Sequence, residues 1–221
     1  MTAGFADSVP HPGGGEMVVL RDGSRVLVGQ VRRTDAALLA DGFGRLSLRS
    51  RWTRFLGPKH ELTPAELRHL TDLDHYDHEA IGALSVADQR GVGVARYIRN
   101  AENPHSAELA ITVVDEWQGR GLGTQLLYRL IERARRNGIR RFTGLVAADN
   151  AAMHALLRRL DADVGLVREE FDTVEYTIAF DERRCDICGK VVGGRPRWIC
   201  SDCRQAYLPR IMARLDQPWW T

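Results

Sequence analysis

The chain has 221 residues, with 31 Lys and Arg against 29 Asp and Glu for a net charge of +2. That length supports one sizeable core and a small appendage, and the near-neutral balance gives no charge-based case for a nucleic-acid or membrane partner. No apolar run approaches the ~18 residues of a membrane span and no signal-like apolar segment opens the chain, so a cytoplasmic protein is expected.

Residues 1–16 carry Gly, Pro and Ser with little apolar matter and read as a mobile tail. Residues 17–20 and 25–31 flank Arg21-Asp22-Gly23-Ser24, a hairpin signal. Thr34 is placed to cap a helix over 35–46, and Ser47 or a neighbour to start a second one running to Phe55. Thr63-Pro64-Ala65-Glu66 is a capping box with proline at the first helical position, which starts a third helix ending near Leu73. Strands then dominate: 79–86 and 92–99 about the turn Asp88-Gln89-Arg90-Gly91, then 107–114. A long helix over 121–137 follows, then a strand over 140–147, a helix over 150–160, and strands over 164–169 and 173–180. The fold class is therefore α/β, with a mixed sheet in the α+β manner, and no internal repeat is present.

The long helix is the most strongly patterned segment. Leu122, Leu126, Leu127, Leu130, Ile131 and Ala134 fall on one face, and Arg129, Glu132, Arg133, Arg135 and Arg136 on the other. Asn137-Gly138 supplies the stop. Just ahead of the helix, Gly119, Gly121 and Gly123 occupy the strand-to-helix junction. Glycines there let the backbone approach a ligand with no Cβ in the way. The first N–H groups of a helix have no internal partner, and the helix dipole favours negative charge beside them, so a pyrophosphate suits both features. The alternative is a plain surface turn. No Gly-Lys-Ser/Thr follows, which excludes a Walker loop, and the glycines end one residue short of a dinucleotide fingerprint with no acidic partner ~20 residues on.

Gln118-x-x-Gly121-x-Gly123 after a strand resembles the acetyl-CoA motif of the GNAT N-acetyltransferase family, and the resemblance spans roughly residues 17–180. The phrases RRTDAALLADGFGRLS, ELTPAELRHLTDLDH, GVARYIRN and VVDEWQGRGLG look most like the bacterial protein lysine acetyltransferases. The resemblance implies the GNAT acyl-CoA N-acyltransferase fold, acetyl-CoA as co-substrate and an amine acceptor, with a protein lysine favoured. A small amine such as an aminoglycoside or polyamine is the alternative acceptor. A degenerate transferase that senses acetyl-CoA and binds a partner is a third reading.

By the same resemblance Glu108 is the general base. It lies ten residues before Gln118 on the strand that leads to the glycine turn. Alternation puts Glu108, Ala110 and Thr112 on one face of that strand and Ala107, Leu109 and Ile111 on the other; a solvent-facing strand glutamate is the competing reading. Where the two central strands splay, Ile111, Val113 and Val114 should pair with the pantetheine arm as with an added strand. Gln118, Gly119, Arg120, Gly121, Leu122, Gly123 and Thr124 should hold the pyrophosphate end. Asn150 matches the family's cofactor-contacting asparagine, or is a plain helix cap. One departure stands out: Leu157 occupies the position at which members often carry a Tyr that protonates the departing thiolate, and Asp161-Ala162 replaces the usual Gly-Phe. A thiolate has a modest pKa, so water can protonate it. His154 reads as a surface-helix histidine. In the cluster Asp74-His75-Tyr76-Asp77-His78-Glu79, His75 and His78 are candidates for a base or, with Asp74 or Asp77, for a metal site, but a polar loop on the acceptor side is the favoured reading. Trp52, Arg54 and Phe55 belong either to the region that walls the acceptor groove in the family or to the core and its salt bridges.

All four cysteines lie near the C-terminus. Cys185-x-x-Cys188 and Cys200-x-x-Cys203 are separated by eleven residues. Two such pairs suit a tetrahedral four-thiolate zinc site, structural rather than catalytic, in a ribbon or treble-clef finger. The chain then divides into a tail over 1–16, a transferase domain over 17–180 and a finger with its tail over 181–221. The arginines around the finger and the Trp219-Trp220 end are a candidate contact for protein or nucleic acid.

Overall fold

Turn chemistry and apolar spacing set the elements. The computed structural model describes residues 15–160, 162–170, 172–180, 183–184 and 191–192. Strands β1 (Glu16–Val19) and β2 (Arg25–Gln30) form the opening hairpin, whose turn is held by Asp22 accepting from the Ser24 amide at 3.1 Å and hydroxyl at 2.8 Å. Glu16, assigned to the tail by sequence, already pairs with Val28 in β1, and its carboxylate binds Arg129 at 2.8 Å.

Three short helices cross one face. Helix α1 (Ala36–Gly44) follows a one-turn 3-10 segment, Arg33–Asp35. Thr34 does not cap it: the Asp35 carboxylate accepts the Arg32 amide at 2.8 Å, starts the tighter turn first and leaves Thr34 inside it. Helix α2 (Leu48–Phe55) is capped by Ser47, whose hydroxyl accepts from the Ser50 amide at 3.1 Å. Helix α3 (Pro64–Thr71) has the reciprocal Thr63–Glu66 box that its sequence announces.

Strands β3 (His78–Ser85), β4 (Gly91–Arg99) and β5 (Ser106–Val113) form a meander. Helix α4 (Leu122–Arg136) crosses the opposite face and returns the chain to β6 (Arg141–Ala147). Helix α5 (Ala151–Arg159), β7 (Asp163–Glu170) and β8 (Thr173–Ala179) complete the layer. The order in the sheet is β1-β2-β3-β4-β5-β6-β8-β7. Every junction is antiparallel except β5 with β6, which is parallel and pairs only Ser106 with Arg141, Ala107 with Phe142, and Glu108 with Thr143. Two antiparallel halves are thus joined by three residue pairs and diverge after Glu108.

The core lies under α4. Its six predicted apolar positions, from Leu122 to Ala134, are all buried against β3, β4 and β5, and each leucine so placed contributes roughly 1.5–3 kcal/mol. Tyr97 is fully buried beside Phe142, and its hydroxyl donates to the Tyr76 carbonyl at 3.0 Å and accepts from Asn137 at 2.7 Å.

Beyond β8 the backbone of β9 (Arg183–Arg184) pairs antiparallel with β10 (Val191–Val192). Cys185, Cys188, Cys200 and Cys203, and the residues before Gly15, lie outside the described residues. Among the described residues no cluster of three His, Cys, Asp or Glu is arranged to hold a metal, and no helix is long and apolar enough to cross a membrane.

Candidate active site

The fork between β5 and β6 generates the site. From Leu109 to Val113, β5 has ladder partners on β4 only, so its other edge is open. Glu108 is the last residue paired to both neighbours, Ile98 on β4 and Thr143 on β6. Its carboxylate is exposed, on the face that carries Ala110 and Thr112 and is crossed by α1 to α3.

A cleft of about 560 Å³ opens along the unpaired edge. Ile111 and Val113 line it from β5, Gln118, Gly119, Gly121, Leu122, Gly123 and Thr124 from the turn, and Asn150 and Met153 from α5. The chain reaches α4 through a one-turn segment, Asp115–Trp117, and an extended Gln118. Gly121 stands at φ +93°, a left-handed conformation that side chains resist, and no side chain caps the helix behind it. The first-turn N–H groups therefore face the cleft without internal partners. Gly123 has different surroundings: a Cβ there would lie 2.9 Å from Cδ1 of Leu156, so that side chain on α5 would have to shift to admit it.

Two expected cofactor residues are turned elsewhere. The Arg120 guanidinium binds Asp22 at 2.9 Å and Ser24 at 3.1 Å and stacks over Trp117, which leaves only its backbone at the turn. Val114 is buried with Phe43 and Leu46, and its amide donates to the Val92 carbonyl at 3.0 Å. Gln118 bonds inward as well, to the Val113 carbonyl at 3.0 Å and the Ser50 hydroxyl at 3.3 Å. Asn150 does cap α5, accepting from the Met153 amide at 3.0 Å, and it lines the cleft while doing so.

Several site residues carry no motif in the sequence. Helix α2 lays Arg49, Ser50, Thr53 and Arg54 along the cleft. Asp115 anchors that helix: burial raises its pKa, but hydrogen bonds from the amide and hydroxyl of Ser47 and from Ser50 outweigh it, so the carboxyl stays below its usual range. Arg49 spans the cleft mouth to Asp149 at 3.0 Å. Arg21, in the hairpin turn, stands against Gly121, where its Nε would lie 3.3 Å from an added Cβ. For Arg49 and Arg54 the local signal is their helical spacing with Thr53 and Ser50 on α2, and Arg21, in the hairpin turn, has none.

On the Glu108 face a second pocket of about 340 Å³ lies under α1 to α3. Leu38, Phe43, Leu62 and Leu70 give it apolar walls, with Ala110 and Thr112 of β5 at its floor. Arg54 and Thr112 line both cavities, which therefore adjoin at these two residues, Thr112 being on the strand face that carries Glu108.

The histidines serve the frame. His75 Nδ1 lies 2.8 Å from the fully buried Glu79, which also receives Arg133 and Gln30, each at 2.9 Å. Asp74 accepts the amides of Tyr76, Asp77 and His78 and so builds the loop. Burial, then the charge of Arg96, brings His78 down to about 4. His154 has both ring nitrogens engaged, with the Ala148 carbonyl and the Tyr176 hydroxyl, each at 3.1 Å. Leu157 is buried, so α5 presents no acid at that position.

An open strand edge, an uncapped glycine-flanked helix start and a carboxylate at the fork together suit a protein that holds an extended pyrophosphate-bearing thioester beside an amine, as an N-acetyltransferase does. The model of the acetyltransferase (GNAT) family matches residues 47–162, and the chain belongs to that family, whose members use acetyl-CoA. It is 39% identical over 139 residues to an acetyltransferase of Pseudomonas aeruginosa, covering 62% of this chain and 74% of that one. It is 34% identical over 178 residues to the acetyltransferase Pat of Mycolicibacterium smegmatis, covering 78% of this chain but 51% of Pat, so it spans about half that relative's length. The crystal structure of the GNAT domain of S. lividans PAT superposes with a TM-score of 0.69 at 28% identity, over 76% of this chain and 98% of that one.

Proposed function

We propose that this chain transfers the acetyl group of acetyl-CoA to the side-chain amine of a protein lysine, with Glu108 as general base. The observation that carries the reading is the position of Glu108 at the fork, on the strand face whose Thr112 lines both the cofactor cleft and the second pocket, although Glu108 itself lines neither. The uncapped N–H groups at Gly121 to Thr124 would hold the pyrophosphate, with Gly119 completing the turn. The open edge at Ile111 and Val113 and the Asn150 side chain would hold the pantetheine arm. Acetyl-CoA supplies the thioester. Glu108 takes a proton from the acceptor ammonium, directly or through one water, which frees the lone pair that forms the amide bond. With Leu157 at the family's Tyr position and His154 engaged, water returns the proton to the departing thiolate. The kinship with Pat supports a protein acceptor.

Incubating the chain with cell lysate and labelled acetyl-CoA tests this reading. Label should enter protein, and Glu108→Gln should lower turnover by about 10²–10⁴ while calorimetric acetyl-CoA affinity is kept. Label confined to small molecules would move the acceptor to a small amine, and unchanged turnover in Glu108→Gln would remove Glu108 as the base.

The same proposal includes a zinc ion on Cys185, Cys188, Cys200 and Cys203. Its support is the paired Cys-x-x-Cys spacing and the antiparallel pairing of the backbone on either side of the first pair. The zinc is structural, and the finger is a docking element for a protein or nucleic acid.

A further inference from the structure

The pocket on the Glu108 face holds two arginines, and among the described residues neither has a carboxylate at ion-pair distance. Arg96, on β4, is 4% exposed. Its guanidinium donates to the Leu70 carbonyl and to Nε2 of His78, both at 3.3 Å. Neither acceptor is anionic, since His78 is neutral well below pH 7. Arg54, on α2, lies over the ring of Phe55 at 5.0 Å, and the charge it senses is that of Glu108. Burial lowers the pKa of both, and the charge of Arg54 helps bring Arg96 down to about 9. Two cations thus share a space walled by leucines and phenylalanines. Among the described residues Arg96 is buried with no anion and Arg54 has only the through-space charge of the exposed Glu108, an unfavourable arrangement that is most easily explained where a ligand supplies the anion. An acceptor ammonium with no negative group of its own would bring a third cation into this low-dielectric space.

We propose that the acceptor carries a carboxylate, bound by Arg54 and Arg96, beside the amine that meets Glu108. The inference rests on the acetyl-transfer reading above and names a feature of its substrate. The planar donor fork of a guanidinium matches a carboxylate. Because Arg54 lines both cavities, an anion held there leaves an amine of the same molecule at the cofactor cleft. Two sources supply this chemistry: the α-carboxylate of a free amino acid, whose side chain would fill the apolar walls, or an acidic side chain next to a lysine in a peptide.

The test uses the full chain, acetyl-CoA and release of the coenzyme thiol, with two matched acceptor pairs. One is leucine against leucinamide; the other is a lysine peptide with aspartate against the same peptide with asparagine beside the lysine. The carboxylate member of at least one pair should have a kcat/KM roughly ten- to a hundredfold higher, and Arg54→Gln should bring that ratio towards one. A preference in the leucine pair alone assigns a free amino acid, and one in the peptide pair alone an acidic sequence context. Equal kcat/KM within both pairs overturns the carboxylate proposal and leaves the acetyltransferase reading standing. If neither pair is acetylated, binding decides. N-acetylleucine against N-acetylleucinamide, and the two acetyl-lysine peptides, are titrated into the coenzyme A complex, and absence of any preference for the carboxylate members overturns it. Failure to bind coenzyme A at all would instead strike the acetyltransferase reading.

Discussion

Replacing Arg133 with Met should destabilise the fold by about 3 kcal/mol, and the reason is Glu79. That carboxylate is fully buried, with four bonds: Arg133 and Gln30 at 2.9 Å on one oxygen, His75 at 2.8 Å and the Ala80 amide at 2.9 Å on the other. Arg133 is the one guanidinium among them. Removing one partner of a buried pair typically costs ~3–5 kcal/mol, because the other charge stays desolvated. Arg133 is 32% exposed, so water can enter as it leaves, which puts the cost at the lower end. For a chain of this size about 3 kcal/mol lowers Tm by roughly 6–12 °C. Glu79→Gln alone removes the charge and leaves Arg133 able to hydrate, and should cost about 1–2 kcal/mol. In the double variant the neutral amide no longer needs its cation, so its cost should fall short of the sum by about 1 kcal/mol or more. Urea unfolding followed by circular dichroism measures all four corners of the cycle. An Arg133→Met variant within about 1 kcal/mol of wild type, or strict additivity in the cycle, would refute the view that Arg133 is the partner that compensates the buried Glu79 carboxylate.

Gly121→Val should cut acetyl-CoA affinity at least ~10-fold and add ~1–3 kcal/mol of backbone strain, because a β-branched residue must adopt φ +93° with its Cβ 3.3 Å from Arg21; calorimetry showing wild-type affinity would mean the pyrophosphate binds elsewhere. His78 is held neutral by burial, with a folded-state pKa of about 4 against 6.5. The unfolded chain therefore binds the proton first, so stability should fall as pH drops from 6.5 to 4, by less than the full shift implies because solvent screens the half-buried ring. His78→Gln should flatten that part of the urea midpoint against pH, and an unchanged slope would show that His78 is not its source. If the proposed zinc is held by Cys185, Cys188, Cys200 and Cys203, strong chelation should remove ~10–16 kcal/mol of metal-derived folding energy from that 19-residue segment. Acetyl-CoA binding should survive both chelation and truncation at Asp181; its loss in a folded truncated chain would put the finger within the active site.

Local chemistry determined the elements. The 3.6-residue spacing of α4, the Ser47 cap and the Thr63–Glu66 box depend on residues within a turn or two of one another, and each was legible without knowing where the chain goes next. Alternation along β5 likewise put Glu108, Ala110 and Thr112 on one face, and the glycine spacing located the cleft's floor. The 3-10 turn over Arg33–Asp35 marks the limit of that method, since Asp35 bonds back to the Arg32 amide and Thr34, expected to cap the helix, lies inside the turn. Side-chain partners were decided by packing between segments far apart in sequence. Arg120 turns to Asp22 and Ser24 of a hairpin nearly a hundred residues earlier. Gly123 answers to Leu156 on another helix, and Arg133, on the polar face of α4, reaches a carboxylate inside the core. Arg54 and Arg96 lie on a helix and a strand whose only relation is that the sheet brings them to one pocket. The fork itself belongs to this class. A strand's own pattern states which face is apolar, but where a neighbour stops pairing with it depends on the connections and helices that hold the two halves apart, and that information is spread over the whole fold.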